Sequence, residues 1–176
     1  MTLTELLRKR RSVRRFDGRG VSRELLETLL AEALTAPSSK NTRSTRFMVV
    51  ENRETLERIS RMRDFGSAFI AEAPCAVAVL GDSSLTDLWV DNCAISATVL
   101  QLAAEEHGLG SCWVHVNGRP HRKEEPDGLS AEEYLRGFLP VPDGCRVLCF
   151  VVLGYPEKVP APHSERDDSD KIIWVG

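Results

Sequence analysis

Apolar residues along the chain follow two rhythms. Leu25, Leu26, Leu29, Leu30 and Ala33 form one stripe at helical spacing, which predicts a helix that starts after Ser22 and ends before Pro37. A longer helical pattern runs from about Asp87 to His107. It is apolar nearly all round through Ala94, Ile95, Ala97, Val99, Leu100, Leu102 and Ala103, so it belongs in the centre of the fold. Gly108 is placed to be its C′ residue. Thr2 with Glu5, and Ser130 with Glu133, have the spacing of capping boxes. They open helices that stop near the basic residues after Leu7 and near Phe138. Residues 53–61 and 65–73 predict two shorter helices, the second ending at Pro74. Continuous apolar runs predict four strands, RFMVVE (46–51), CAVAVLGD (75–82), SCWVHVN (111–117) and RVLCFVVLG (146–154). The polar stretch 118–129 reads as an exposed loop.

Four strands separated by helices imply a mixed α/β or α+β layer protein, with strand direction left open. After Gly154 the pattern changes to Pro156, Pro160 and Pro162, then charged residues, then the apolar IIWV (172–175). That tail, 155–176, is too short for a domain and reads as an arm that packs on something else. At 176 residues the chain fits one domain, 1–176. Its 42% hydrophobic and 28% charged content argues against disorder, and its 6% aromatic content against a stacking surface for nucleic acid. A net charge of −3 gives no global field for polyanions. No apolar run approaches the roughly 18–20 residues that span a bilayer, and the N-terminus has the reverse of a signal-peptide pattern. A soluble cytoplasmic protein is expected. Five cysteines with no CxxC pair, and four histidines without helical ligand spacing, argue for reduced structural thiols and no metal site.

Three segments carry candidate chemistry. In RKRRSVRRF (8–16), six of the eight residues from Arg8 to Arg15 are basic. Without those six, the chain holds 17 basic against 26 acidic residues, a balance of −9. A concentrated positive spot on an acidic body suits a specific anion, and arginine forks beside a serine hydroxyl suit phosphate oxygens. The same cluster also reads as a solvated helix end favouring the C-terminal dipole, or as a nucleic-acid patch. In APSSKNTRSTRFMVV (36–50), Ser38, Ser39 and Asn41 can close a turn through local bonds or donate to a ligand. HGLGSCWVHV (107–116) joins helix to strand through two glycines but lacks the dinucleotide-binding GxGxxG order.

With these three segments in this order, followed by the LGYPEK turn (153–158) and a charged arm, the chain resembles the nitroreductase family of FMN-dependent oxidoreductases, in its compact branch. The resemblance implies an α+β three-layer sandwich, a mixed and mainly antiparallel sheet flanked by helices, built as an intertwined homodimer with FMN at the interface. It implies that Arg10, Arg11, Ser12 and Arg14 bind the flavin. Arg10 and Ser12 would serve the phosphate and ribityl end; Arg14 would face the pyrimidine edge, where negative charge gathers on reduction. Pro37, Ser38, Ser39 and Asn41 would reach the flavin of the partner chain. Cys112, Trp113, Val114 and His115 would lie along the ring, and Arg166 would reach the phosphate from the tail, with Lys171 as the alternative. Three departures stand out. Thr42-Arg43-Ser44-Thr45 replaces a Gln-Pro-Trp-type run, Ser164-Glu165-Arg166 replaces a Lys-x-Arg pair, and Thr98-Val99 replaces a Gln-Asn pair. The implied activity is electron transfer from NAD(P)H to a small electron-poor acceptor, nitroaromatic or quinone, by a ping-pong mechanism with no side-chain nucleophile. No nucleic-acid or membrane partner is expected. The competing readings are a flavin store or sensor without turnover, and a basic-armed nucleic-acid binder.

Overall fold

The structure is a computed structural model that describes residues 1–176. Nine principal elements follow in order: α1 (Leu3–Lys9), α2 (Arg23–Ala33), β1 (Thr45–Val50), α3 (Arg53–Ser60), β2 (Cys75–Asp82), α4 (Trp89–Glu106), β3 (Gly110–His115), α5 (Ala131–Arg136) and β4 (Cys145–Gly154). Both capping boxes form. Thr2 accepts from the Glu5 amide at 3.2 Å while Glu5 returns a carboxylate to the Thr2 amide at 2.8 Å, and Ser130 and Glu133 repeat the arrangement at α5. Ser22 caps α2 through the Leu25 amide. Gly108, at φ +77°, closes α4 in the left-handed conformation.

The strands form one sheet in the order β1-β2-β4-β3, every neighbouring pair antiparallel. The parallel component is a single bridge from Ser12, outside the named strands, to Ser111 of β3. β2 and β4 lie in the middle and are buried on both faces, which is why their sequences are continuously apolar rather than alternating. One face packs under α2 and α4 through Leu26, Leu29, Cys93, Ala97 and Leu100; the other packs under α3 and α5 through Leu56, Ile59, Leu135 and Phe150. Glu132, buried on α5, takes Arg146 at 2.9 Å and Arg136 at 3.0 Å and so ties that helix to β4.

One predicted helix shrinks. Within 65–73 only Ala68–Glu72 forms a short 3-10 helix, because Gly66 sits at φ +81° on one side and Pro74 lies on the other. The sheet order has a larger consequence. β1 and β3 occupy opposite edges, separated by three strand spacings, or about 14 Å of sheet.

Candidate functional site along the open edge of β3

The arginine segment does not end as a free helix terminus. After α1 it runs extended beside β3, where the Val13 amide donates to the Ser111 carbonyl at 2.9 Å. Gly110 permits this approach, since a Cβ there would lie 2.7 Å from the Val13 side chain. Val13 turns inward and is buried. In an extended segment alternate residues face opposite ways, so Arg10, Ser12 and Arg14 share the other face. They converge on Cys112. Burial pushes that thiol up, while Arg14, the Ser12 hydroxyl and Arg10 pull it down. No carboxylate lies within ion-pair distance of Arg10 or Arg14. Two guanidinium forks and a hydroxyl without an acidic partner have the donor chemistry that phosphate oxygens require.

Arg11 faces the other way, its Nη1 donating to the Ala161 carbonyl. It holds the arm. Residues 155–165 return alongside 8–17 through Asp17 to Tyr155 (3.0 Å), Glu157 to Arg15 (3.1 Å) and His163 to Arg8 (2.9 Å). Arg166 then lines a cleft of about 580 Å³ with Arg8, His163, Ser164, Glu165 and Asp168. Lys171 is taken by Asp168, which leaves Arg166 as the arm's free cation beside that cleft.

On β3 itself, Cys112 and Val114 are buried, so they can offer a ligand only backbone. The Ser111 carbonyl accepts Val13 and the His115 carbonyl accepts Arg63, so both point away from β4. The two-residue strand period therefore turns the Trp113 N–H and C=O toward the same open edge. The Trp113 indole donates to His115 Nδ1 at 3.3 Å, and the two rings stack 6.1 Å apart. An indole N–H can only donate, which puts the His115 proton on Nε2. Burial, with Arg119 and Arg63 nearby, holds His115 below its usual range and hence neutral at physiological pH.

Pro37, Ser38, Ser39 and Asn41 belong to the turn that enters β1. Lys40, Asn41 and Arg43 all have φ near +50°, a costly conformation for non-glycine residues. Ser38 Oγ restrains it by accepting the Arg43 amide at 2.9 Å. Asn92, buried on α4, accepts from Ser39 at 2.8 Å and donates to Ser44 at 2.9 Å. Sequence reasoning missed Asn92. The available signal was an amide, one of two with Gln101, on a helix that is otherwise apolar nearly all round. The structure thus brings residues 10, 12, 14 and 112–115 together and leaves the 37–41 turn at the opposite edge of the sheet.

A layered α+β architecture with arginines along one open sheet edge defines the class. Comparison with known proteins gives that class a family. A family model described as the nitroreductase family matches residues 7–65 and 60–155, which include all three sequence segments. A Methanothermobacter thermautotrophicus protein named "Putative NADH dehydrogenase/NAD(P)H nitroreductase" is 33% identical over 175 residues, covering 98% of this chain and 86% of its own. The solved structure of an FMN-dependent nitroreductase from Clostridium difficile R20291 matches with a TM-score of 0.92 at 34% identity, covering 99% of each chain. A structure from Parabacteroides distasonis, named like the Methanothermobacter protein, matches at 0.87 with 28% identity, covering 98% of this chain and 97% of that one. The chain belongs to the nitroreductase family, a family of oxidoreductases.

Proposed function

We propose that this protein is an FMN-dependent oxidoreductase that takes electrons from NAD(P)H and passes them to small electron-poor acceptors such as nitroaromatics or quinones. The observation that carries this reading is the set of Arg10, Ser12 and Arg14, with no carboxylate within ion-pair distance of either arginine, against the open backbone edge of β3. FMN, when bound, supplies the redox chemistry: it accepts a hydride from the nicotinamide and returns two electrons to the acceptor. The chain's own residues bind and position. Arg10 and Ser12 hold the phosphate, with Arg166 adding charge from the arm. Arg14, 6.0 Å from the Phe69 ring, presents a fixed cation toward the ring system. The Trp113 backbone groups line the ring edge. Neither neighbouring side chain is a nucleophile or strong base, since Cys112 is a buried thiol with a raised pKa and His115 a neutral imidazole. One site serving both substrates in turn makes the kinetics ping-pong.

The same reading makes the protein a homodimer. The 37–43 turn cannot reach β3 of its own chain across the sheet, so it completes the partner's site. Ile172, Ile173, Trp174 and Val175, exposed in the single chain, gain cover on the partner. Five unpaired, buried thiols suit a reducing compartment such as the cytoplasm, and no helix is long and apolar enough to cross a membrane.

The deciding experiment is optical. The purified protein should show the visible flavin bands, release FMN on denaturation, and lose its colour anaerobically on addition of NADH or NADPH. A yellow protein that neither nucleotide bleaches would be a flavin store or sensor. A colourless protein that takes up no FMN would overturn the reading.

A further inference from the structure

The open edge of β3 carries a second cationic group beyond the one assigned to FMN. Arg63, in the turn after α3, is partly buried, and its Nη1 donates to the His115 carbonyl at 3.3 Å. The Phe65 ring lies 4.9 Å from its guanidinium and steadies it. The adjacent Asp64 carboxylate accepts the Lys123 amide at 2.8 Å and favours the Arg63 charge without pairing with it. No acid comes within ion-pair distance of Arg63. Arg119 sits in the turn that follows β3, its amide on the Val116 carbonyl at 3.0 Å, exposed and also without an acidic partner. Burial and then the charge of Arg119 lower the pKa of Arg63, as expected for two like charges held near each other. Both also act on His115, whose ring donates to the Asn117 backbone and is held beside them.

Asp64 offsets part of the repulsion between these two charges without forming an ion pair with Arg63, and a bound anion relieves the remainder. The anion is a different one from the FMN phosphate. Arg10 and Arg14 gather at Cys112, and His115 lies three residues further along the strand, about 10 Å away. Nothing in the sequence pattern marks the group, because Arg63 and Arg119 are far apart in the chain and meet only at the end of β3.

Building on the FMN reading, we propose that Arg63 and Arg119, beside His115, form an anion subsite at the end of the flavin edge, which selects a substrate carrying a phosphate or carboxylate group. That group belongs either to the acceptor or to NADPH, whose extra ribose phosphate distinguishes it from NADH. In both cases the subsite raises affinity for the charged substrate and leaves its neutral or unphosphorylated counterpart unaffected.

The test uses the FMN-loaded protein with para-nitrobenzoate against para-nitrobenzamide, and NADPH against NADH, in wild type, Arg63→Gln, Arg119→Gln and Arg63→Lys. Loss of a charge-assisted contact should raise KM for the anionic member of one pair about tenfold in each glutamine variant. The other member of that pair should be unchanged, and Arg63→Lys should keep most of the preference. An effect on para-nitrobenzoate assigns the anion to the acceptor; an effect on NADPH assigns it to the nicotinamide substrate. Calorimetric titration of the same proteins with para-nitrobenzoate and with NADP⁺, which carries the ribose phosphate but no hydride, reads the subsite without turnover. It therefore still decides if no acceptor is reduced, an outcome that counts against the oxidoreductase reading alone. If Arg63→Gln does not fold, the exposed Arg119→Gln carries the test. Equal effects on charged and uncharged partners, or none on either, would overturn the subsite.

Discussion

At the scale of single residues, what matters is which charged or nucleophilic groups are left without a partner. Arg8 is neutralised by Glu165 at 3.1 Å and Arg11 is spent on the arm, but Arg10 remains free on the face it shares with Ser12 and Arg14. Replacing Arg10 with Ala should remove a charge-assisted bond worth about 1.5–3 kcal/mol. FMN affinity, followed by flavin fluorescence, should fall about 10–150-fold. Riboflavin, which has no phosphate, should bind the wild type weakly and be nearly indifferent to the change; equal losses for both ligands would remove Arg10 from the phosphate. The thiols make the opposite case. Burial pushes Cys75 up to about 12 and Cys93 up to about 11, and Cys149 well above its ordinary value. The thiolate is the reactive form, so these three should resist a thiol–disulfide reagent in the folded protein at mildly alkaline pH and react at once after denaturation. Rapid labelling of the native protein would contradict their burial.

Among the elements, two anchor points convert local sequence into site geometry. Gly110 lets residues 10–16 dock on β3. In Gly110→Ala the new methyl collides with Val13, overpacking that should cost about 1–3 kcal/mol. Docking of the arginine segment should fail before the sheet does, so flavin should dissociate faster while the circular dichroism melt moves less. Loss of both together would mean that the segment and the sheet unfold as one unit. Asn92 does the corresponding work on the β1 side. Asn92→Leu leaves the partly buried Ser39 amide without its acceptor, at about 1–3 kcal/mol. A lower Tm is expected, together with faster proteolysis in the strained turn at residues 40–43. An unchanged Tm would show that the turn holds itself.

For the whole molecule, the arm poses the main question. Its first part is fixed along residues 8–17, but Ile173 is 86% and Trp174 88% exposed in the single chain. Burying side chains of this kind contributes about 1.5–3 kcal/mol each. Truncation after Glu165 should therefore weaken the dimer and release FMN together, measured by light scattering and by the flavin spectrum of the same fractions. A truncated protein that stays dimeric and yellow would make the apolar end dispensable.

The sequence by itself determined the elements apart from the helix expected over 65–73, because the signals for them are local. A capping Ser or Thr with Glu three residues on, and an unbroken apolar run bounded by turns, act within a few residues and fold as they read. The order of the chemistry-bearing segments was legible too, and it carried the family resemblance. Tertiary structure alone decided how they are shared out. Strand order put β1 and β3 on opposite edges and so separated the asparagine turn from the arginine segment, a result of non-local pairing that no spacing reveals. Packing also settled which arginines are free. Within RKRRSVRRF the residue types are nearly uniform, but docking on β3 and on the arm engages Arg8 and Arg11 and leaves Arg10 and Arg14 open. A guanidinium's availability depends on what lies beside it, and its neighbours come from far away in the chain.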